Sequence, residues 1–218
     1  MAAVRVRQHV NPLSDKYRFL VEPPDWATVY GQLARPLHLD IGCGRGRFLF
    51  QMAEQQPAWN YLGLEIRQPL VTQALAHRDN NALANVHFIF CNVNTTLTAL
   101  FANWPNCPLQ RVSIQFPDPW FKKRHQKRRV VQPELVAELV TLMPLGSEVV
   151  LQSDVESVAV DMSDRFNEHP RFQRRSQHWE PESPFPAMTE REIMTLENRL
   201  PVFRSVFTLI DPATAEHG

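Results

Sequence analysis

A short apolar run, Leu37 to Ile41, leads straight into Gly42-Cys43-Gly44-Arg45-Gly46, and a helical pattern begins at Arg47. Three of the chain's seven glycines stand in those five positions. The backbone is therefore expected to turn sharply there and to let a ligand lie against it. Strand, glycine loop and helix in this order open a parallel α/β sheet, and the bare N–H groups at the helix start face whatever rests on the loop. The spacing is GxGxG rather than the GxGxxG of dinucleotide binders, and Asp40 stands just before the first glycine. An anion there repels a pyrophosphate but can accept from an ammonium. Asp40, Gly42 and Gly44 thus predict a cofactor with a cationic amino acid end rather than a nicotinamide dinucleotide.

The remaining pattern repeats the alternation. A second strand, Trp59 to Ile66, carries Glu65 at its tip, placed to accept both ribose hydroxyls of a nucleoside. Helix Pro69 to Asn80 leads to strand Val86 to Cys91 and then Asn92, which either reaches an adenine edge or serves as a turn residue. Helix Thr95 to Asn103 precedes strand Arg111 to Phe116. Pro133 opens a helix through Met143, and strand Glu148 to Gln152 has Asp154 just past its tip. After helix Val155 to His169, the segments Phe172 to Trp179 and Arg204 to Ile210 alternate like a closing β-hairpin. Between them, Thr189-Glu190-Arg191-Glu192 has the form of a capping box. Upstream, Asp25 caps a helix expected over Trp26 to Leu33. The fold class predicted is α/β: a doubly wound, mostly parallel seven-stranded sheet with helices on both faces and a C-terminal antiparallel hairpin. Ligands of such sheets sit beyond the carboxyl ends of the strands, where the strand order reverses.

Strand four ends in Phe116-Pro117-Asp118-Pro119-Trp120, which holds one carboxylate between two prolines beside an indole. Lys122, Lys123, Arg124, Lys127, Arg128 and Arg129 then place six cations within eight residues. A rigid acid beside a flat aromatic suits a planar base, and the basic run suits phosphates. Formal net charge is zero, yet without those six the chain holds 17 Lys+Arg against 23 Asp+Glu, a remainder of −6. That segregated charge steers an anionic partner where the total would not.

Residues 24–218 read as one domain. The preceding basic stretch (Arg5, Arg7, Lys16, Arg18) is an N-terminal arm, either frayed or ordering on nucleic acid or over the site. Cys43, Cys91 and Cys107 lack metal or disulfide spacing, and His125 lacks companion ligands, so no metal is expected. No signal-peptide core or membrane-spanning run is present, which predicts a cytoplasmic protein without a membrane partner. Monomer and homodimer both stay open.

The segments DIGCGRGRF (40 to 48), GLEIR (63 to 67), FPDPWFKKRHQKRRVVQPELV (116 to 136), QSDV (152 to 155) and TERE (189 to 192) resemble the bacterial tRNA (guanine-N7-)-methyltransferases. The resemblance runs from about residue 37 to the C-terminus. It implies a class I methyltransferase that carries a methyl group from S-adenosylmethionine to N7 of a guanosine in tRNA, in the variable loop. It further implies that Asp40, Glu65, Asn92 and Asp118 contact S-adenosylmethionine and that Asp118 is catalytic. Lys122, Asp154, Thr189 and Glu192 then match substrate contacts. Phe121 departs from the family's usual proline, and Asn198 to Pro201 lack a glycine often found there. Two other functional classes fit the residues: methylation of an exocyclic amine, since Asp-Pro-Trp echoes motifs that clasp an amino group, and a non-catalytic RNA-binding module.

Overall fold

The computed structural model describes residues 10–104 and 107–213. Its seven strands are β1 (Leu37–Ile41), β2 (Asn60–Glu65), β3 (Val86–Phe90), β4 (Leu109–Gln115), β5 (Glu148–Ser153), β6 (Phe172–Arg174) and β7 (Phe203–Leu209). They form one sheet in the order β3-β2-β1-β4-β5-β7-β6. The first five pair in parallel, and β7 runs antiparallel between β5 and β6. From β1 the chain winds outward to β2 and β3, then returns to the other side of β1 as β4. The carboxyl ends of β1 and β4 therefore flank the switch point, where loops leave in opposite directions and a crevice opens.

Period-two alternation divides the sheet residues between two layers. Leu37, Leu39, Ile41, Leu62, Leu64, Val112, Ile114, Val149 and Leu151 join one apolar cluster. It is closed by α1 (Trp26–Val29), α4 (Val93–Phe101), α5 (Pro133–Leu142) and α6 (Glu156–Asn167). Tyr61, Val150 and Val206 face the other layer, covered by α2 (Arg47–Gln55), α3 (Gln68–Asn80) and Phe185. The residues that alternate with the first set on this second side include His38, Asp40, Ser113, Gln152 and Arg204, all buried. The second layer is thus polar at its centre.

Three local differences from the sequence reading have physical causes. Helix α1 ends at Val29 rather than Leu33, because Tyr30 turns extended and anchors its hydroxyl on the Tyr61 carbonyl at 2.8 Å. Strand β6 stops at Arg174 rather than Trp179, since the backbone leaves the ladder after Arg175 N–H donates to Val206 O at 2.9 Å and next meets β7 where Glu180 N–H donates to Arg204 O at 2.9 Å. The antiparallel β6–β7 pair forms, but α7 (Glu190–Glu197) lies between the two in sequence and β7 slots against β5. Buried on both faces, β7 takes an interior place, and short β6 becomes the edge.

Candidate active site

The glycine loop builds the floor of the crevice. Gly42, Gly44 and Gly46 have φ of 84°, 58° and 74°, a left-handed region that disfavours any side chain. An added Cβ at Gly42 or Gly44 would meet nothing within 4 Å, so these two keep backbone exposed toward the cleft. Gly46 differs: a Cβ there would collide with the Phe88 ring, which makes it a packing residue.

Two hollows adjoin at this floor. One is bordered by Glu65, Asn92, Trp120, Arg128 and, from the N-terminal segment, Val10 and Pro12. The other is bordered by Asp40, Gly44, Arg47, Phe121, Asp154, Thr189 and Arg191. Gly42, Arg67, Gln115, Phe116, Pro117 and Asp118 line both. The structure therefore brings Asp40, Glu65, Asn92, Asp118, Asp154 and Thr189 to one crevice, with Asp118 at the junction.

Asp118 sits in a turn whose backbone is forced. Phe116 and Trp120 on either side of it adopt φ of 49° and 42°, conformations that persist only where surrounding bonds over-determine them. Phe116 N–H donates to Gln152 O at 2.8 Å. Arg129 Nε donates to Pro119 O at 3.0 Å. The Arg128 guanidinium lies 4.9 Å from the Trp120 ring centre, a cation–π contact.

The carboxylates differ in environment. Asp40 is 4% exposed; its Oδ1 accepts from Ser113 Oγ at 2.6 Å and from Gln115 Nε2 at 3.2 Å. Burial pushes its pKa up to about 6, against the pull of those two donors and with a further push from the Glu65 charge. Glu65 accepts from Gly44 N–H, Arg67 N–H and Arg67 Nε, each at 2.9 Å. Asn92 caps α4 through Oδ1, which accepts from Asn94 N–H at 3.3 Å, while Nδ2 donates to Pro12 O at 3.1 Å. That oxygen keeps a second lone pair for an amino group. Asp154 Oδ2 accepts from Arg191 Nε at 2.9 Å. Cys91 borders the crevice but burial pushes its thiol up to about 12, so it stays protonated and is no nucleophile.

Two assignments change. Arg129, grouped with the phosphate contacts, is 7% exposed and turns inward; its Nη1 pairs with Asp161 on α6 at 3.1 Å, so it holds the turn instead of facing RNA. Glu192, grouped with the substrate contacts, is 0% exposed, its carboxylate bound to Gln152 Nε2 and Arg204 Nη2. Only half of the expected capping box forms: Thr189 Oγ1 accepts from Glu192 N–H at 3.0 Å, but the Glu192 carboxylate points into the sheet. Lys122, Lys123, Arg124 and Lys127 are exposed on the 3-10 turn after Trp120. Residues missed by sequence reasoning are Arg67, Ser113, Gln115 and Gln152. The last two had a signal, a glutamine directly after a large apolar residue near the carboxyl end of a strand (Ile114-Gln115 and Leu151-Gln152). Of the N-terminal arm, Arg5 and Arg7 lie outside the described residues; Tyr17 is buried and the Phe19 ring lies 5.2 Å from that of Phe90.

Residues 34–205 match a protein-family model described as "Putative methyltransferase". The tRNA (guanine-N(7)-)-methyltransferase of Synechococcus elongatus is 58% identical over 207 residues, covering 95% of this chain and 97% of that protein. The protein of the same name from Microcystis aeruginosa is 56% identical, covering 95% and 99%. The chain belongs to the tRNA (guanine-N7-)-methyltransferase family. This family member also shares its fold with remote methyltransferases. The 16S rRNA methyltransferase KamB superposes with a TM-score of 0.58 at 13% identity over 88% of this chain and 96% of that one. An antibiotic-related methyltransferase gives 0.58 at 16% identity, over 89% and 98%. The family-model match begins just before β1 and ends within β7, so it takes in every strand that borders the crevice.

Proposed function

We propose that this enzyme methylates N7 of guanosine in tRNA with S-adenosylmethionine as donor, in the cytoplasm. The observation that carries the reading is the position of Asp118, among the described residues the one carboxylate that borders both hollows. The residues fit the donor. Glu65 lies at the tip of β2 for the ribose hydroxyls, and Arg67 is the group that must turn from it as they arrive. Gly42 and Gly44 leave backbone bare beneath the amino acid end. Asp40 borders the same hollow and supplies the anion for its ammonium, through Oδ2, since Ser113 and Gln115 both donate to Oδ1.

When bound, S-adenosylmethionine supplies a methyl on a sulfonium: the guanine N7 lone pair forms the new C–N bond as the C–S bond breaks, and no proton moves. Asp118 is accordingly an acceptor that holds the guanine N1–H and amino group, not a base. Its rigid turn fixes the ring relative to the donor half, the kind of positioning that accounts for much of a barrier reduction. Its charge also favours the cation that develops on the ring. Thr189 and Asp154 border the half where the guanosine enters, and Lys122 follows the Asp118 turn. Lys123, Arg124 and Lys127 face outward for phosphates, with Arg128 beside Trp120.

The test is incubation with S-adenosylmethionine and unmodified tRNA, followed by nucleoside analysis. We expect 7-methylguanosine, formed about 100-fold more slowly by Asp118→Asn. A methylated exocyclic amine, or near wild-type turnover in Asp118→Asn, would overturn the reading.

A further inference from the structure

One hydrogen-bonded chain of polar side chains crosses the second face of the sheet. It starts at Asp40 on β1, whose Oδ1 accepts from Gln115 Nε2 on β4 at 3.2 Å. Gln115 Oε1 accepts from Gln152 Nε2 on β5 at 2.8 Å. The same Gln152 nitrogen donates to Glu192 Oε2 on α7 at 3.0 Å. Gln152 Oε1 in turn accepts from Arg204 Nε on β7 at 3.1 Å. Arg204 Nη2 closes the ring on Glu192 Oε1 at 2.8 Å. Gln152, Glu192 and Arg204 are all buried.

The chain has a direction. A guanidinium only donates, so the carbonyl end of Gln152 must face Arg204. Its NH2 group then faces Gln115 and Glu192. With its oxygen held by Gln152, the Gln115 amide is obliged to present N–H to Asp40. Gln152, Glu192 and Arg204 are buried, so reversing the Gln152 amide would set its NH2 against the Arg204 guanidinium and strand buried polar atoms, which fixes one arrangement at the core of the chain. One end of it is the carboxylate read here as the cofactor's ammonium acceptor. The other end is α7, whose N-cap Thr189 borders the substrate half of the crevice.

We propose that Gln152 is a positioning residue that ties the α7 wall of the substrate half to the Asp40 carboxylate of the donor half, acting through Gln115 and the Arg204–Glu192 ion pair. The proposal rests on the methyl-transfer reading above. It gives buried Glu192 a task that does not require contact with RNA, and it explains two glutamines at strand ends where an apolar residue would pack as well.

The experiment uses Gln152→Met, close in volume and apolar, alone and combined with Asp40→Asn. S-adenosylhomocysteine affinity is measured by calorimetry without tRNA, and kcat/KM for tRNA is measured separately. The expected result is about fivefold weaker S-adenosylhomocysteine binding, the scale of one hydrogen bond, and a kcat/KM for tRNA lowered about tenfold or more. In the Asp40→Asn background the Gln152→Met change should cost no further affinity, because the Gln115 amide then has no anion to serve. An equal loss in both backgrounds marks a role confined to packing and overturns the proposal, as does unchanged binding and turnover. Gln115→Met supplies a second route should Gln152→Met fail to fold, and it must weaken S-adenosylhomocysteine in the same Asp40-dependent way. If Asp40→Asn by itself binds as tightly as wild type, the donor-half reading fails and takes the proposal with it.

Discussion

At the scale of single residues, the crevice separates its carboxylates by environment. Asp40 sits among Ser113, Gln115 and the Glu65 charge, and its pKa rises to about 6. Because the folded value lies above the unfolded one, the charged form costs the apo fold stability at neutral pH, and that cost is relieved as pH falls through 6 toward 3.8. Donor affinity moves the opposite way, since a protonated Asp40 accepts poorly from an ammonium. We expect S-adenosylhomocysteine affinity to be flat above pH 7 and to fall about tenfold per unit well below pH 6. In Asp40→Asn that acid limb should vanish. Calorimetry across pH 5 to 8 checks both statements, and an acid limb that survives in the variant refutes the role of Asp40. His38 beneath Asp40 does not add a second limb. Burial holds it neutral by pushing its pKa well below the ordinary value, and its Nε2 lies 2.9 Å from Ser113 Oγ. That hydroxyl gives its proton to Asp40, so the histidine donates to it.

At the scale of elements, the glycine loop was legible because its three glycines answer two separate needs. Gly42 and Gly44 keep the crevice floor bare, while Gly46 admits the Phe88 ring from β3 at the left-handed start of α2. Gly46→Ala meets both a disfavoured φ and a blocked ring. It should lower stability by about 2 kcal/mol or more, seen as a reduced urea midpoint with little change in m-value. The 3-10 turn Lys123–Arg128 was legible only as charge. Six cations in eight residues look alike in sequence, and nothing local says that the last is folded back. Arg129 is buried because Pro119 O and Asp161 stand within reach of its guanidinium, and those partners come from a loop and from α6.

At the scale of the whole molecule, the charge asymmetry can be tested as one quantity. Neutralising Lys123 and Lys127 together should weaken tRNA binding and flatten the slope of log affinity against log salt by up to roughly 0.9 per lost contact on a duplex region. Arg129→Lys should leave that slope alone and lower kcat, because it loosens the Asp118 turn while removing no surface charge. Filter binding at several salt concentrations, paired with steady-state kinetics, distinguishes the two. A slope change in Arg129→Lys would return it to the RNA surface. Sequence alone was enough for the alternation of strands and helices, the glycine loop, the acids at the strand tips and the proline restraint on both sides of Asp118. Those features depend on neighbours within a few residues: hydrophobic period, glycine freedom and proline restraint. Only the tertiary structure decided that Arg129 and Glu192 point inward, that β7 enters the sheet beside β5, and that Gln115 and Gln152 join one buried chain. Each of those depends on partners 10 or more residues away, and a buried polar group takes whatever direction satisfies its hydrogen bonds.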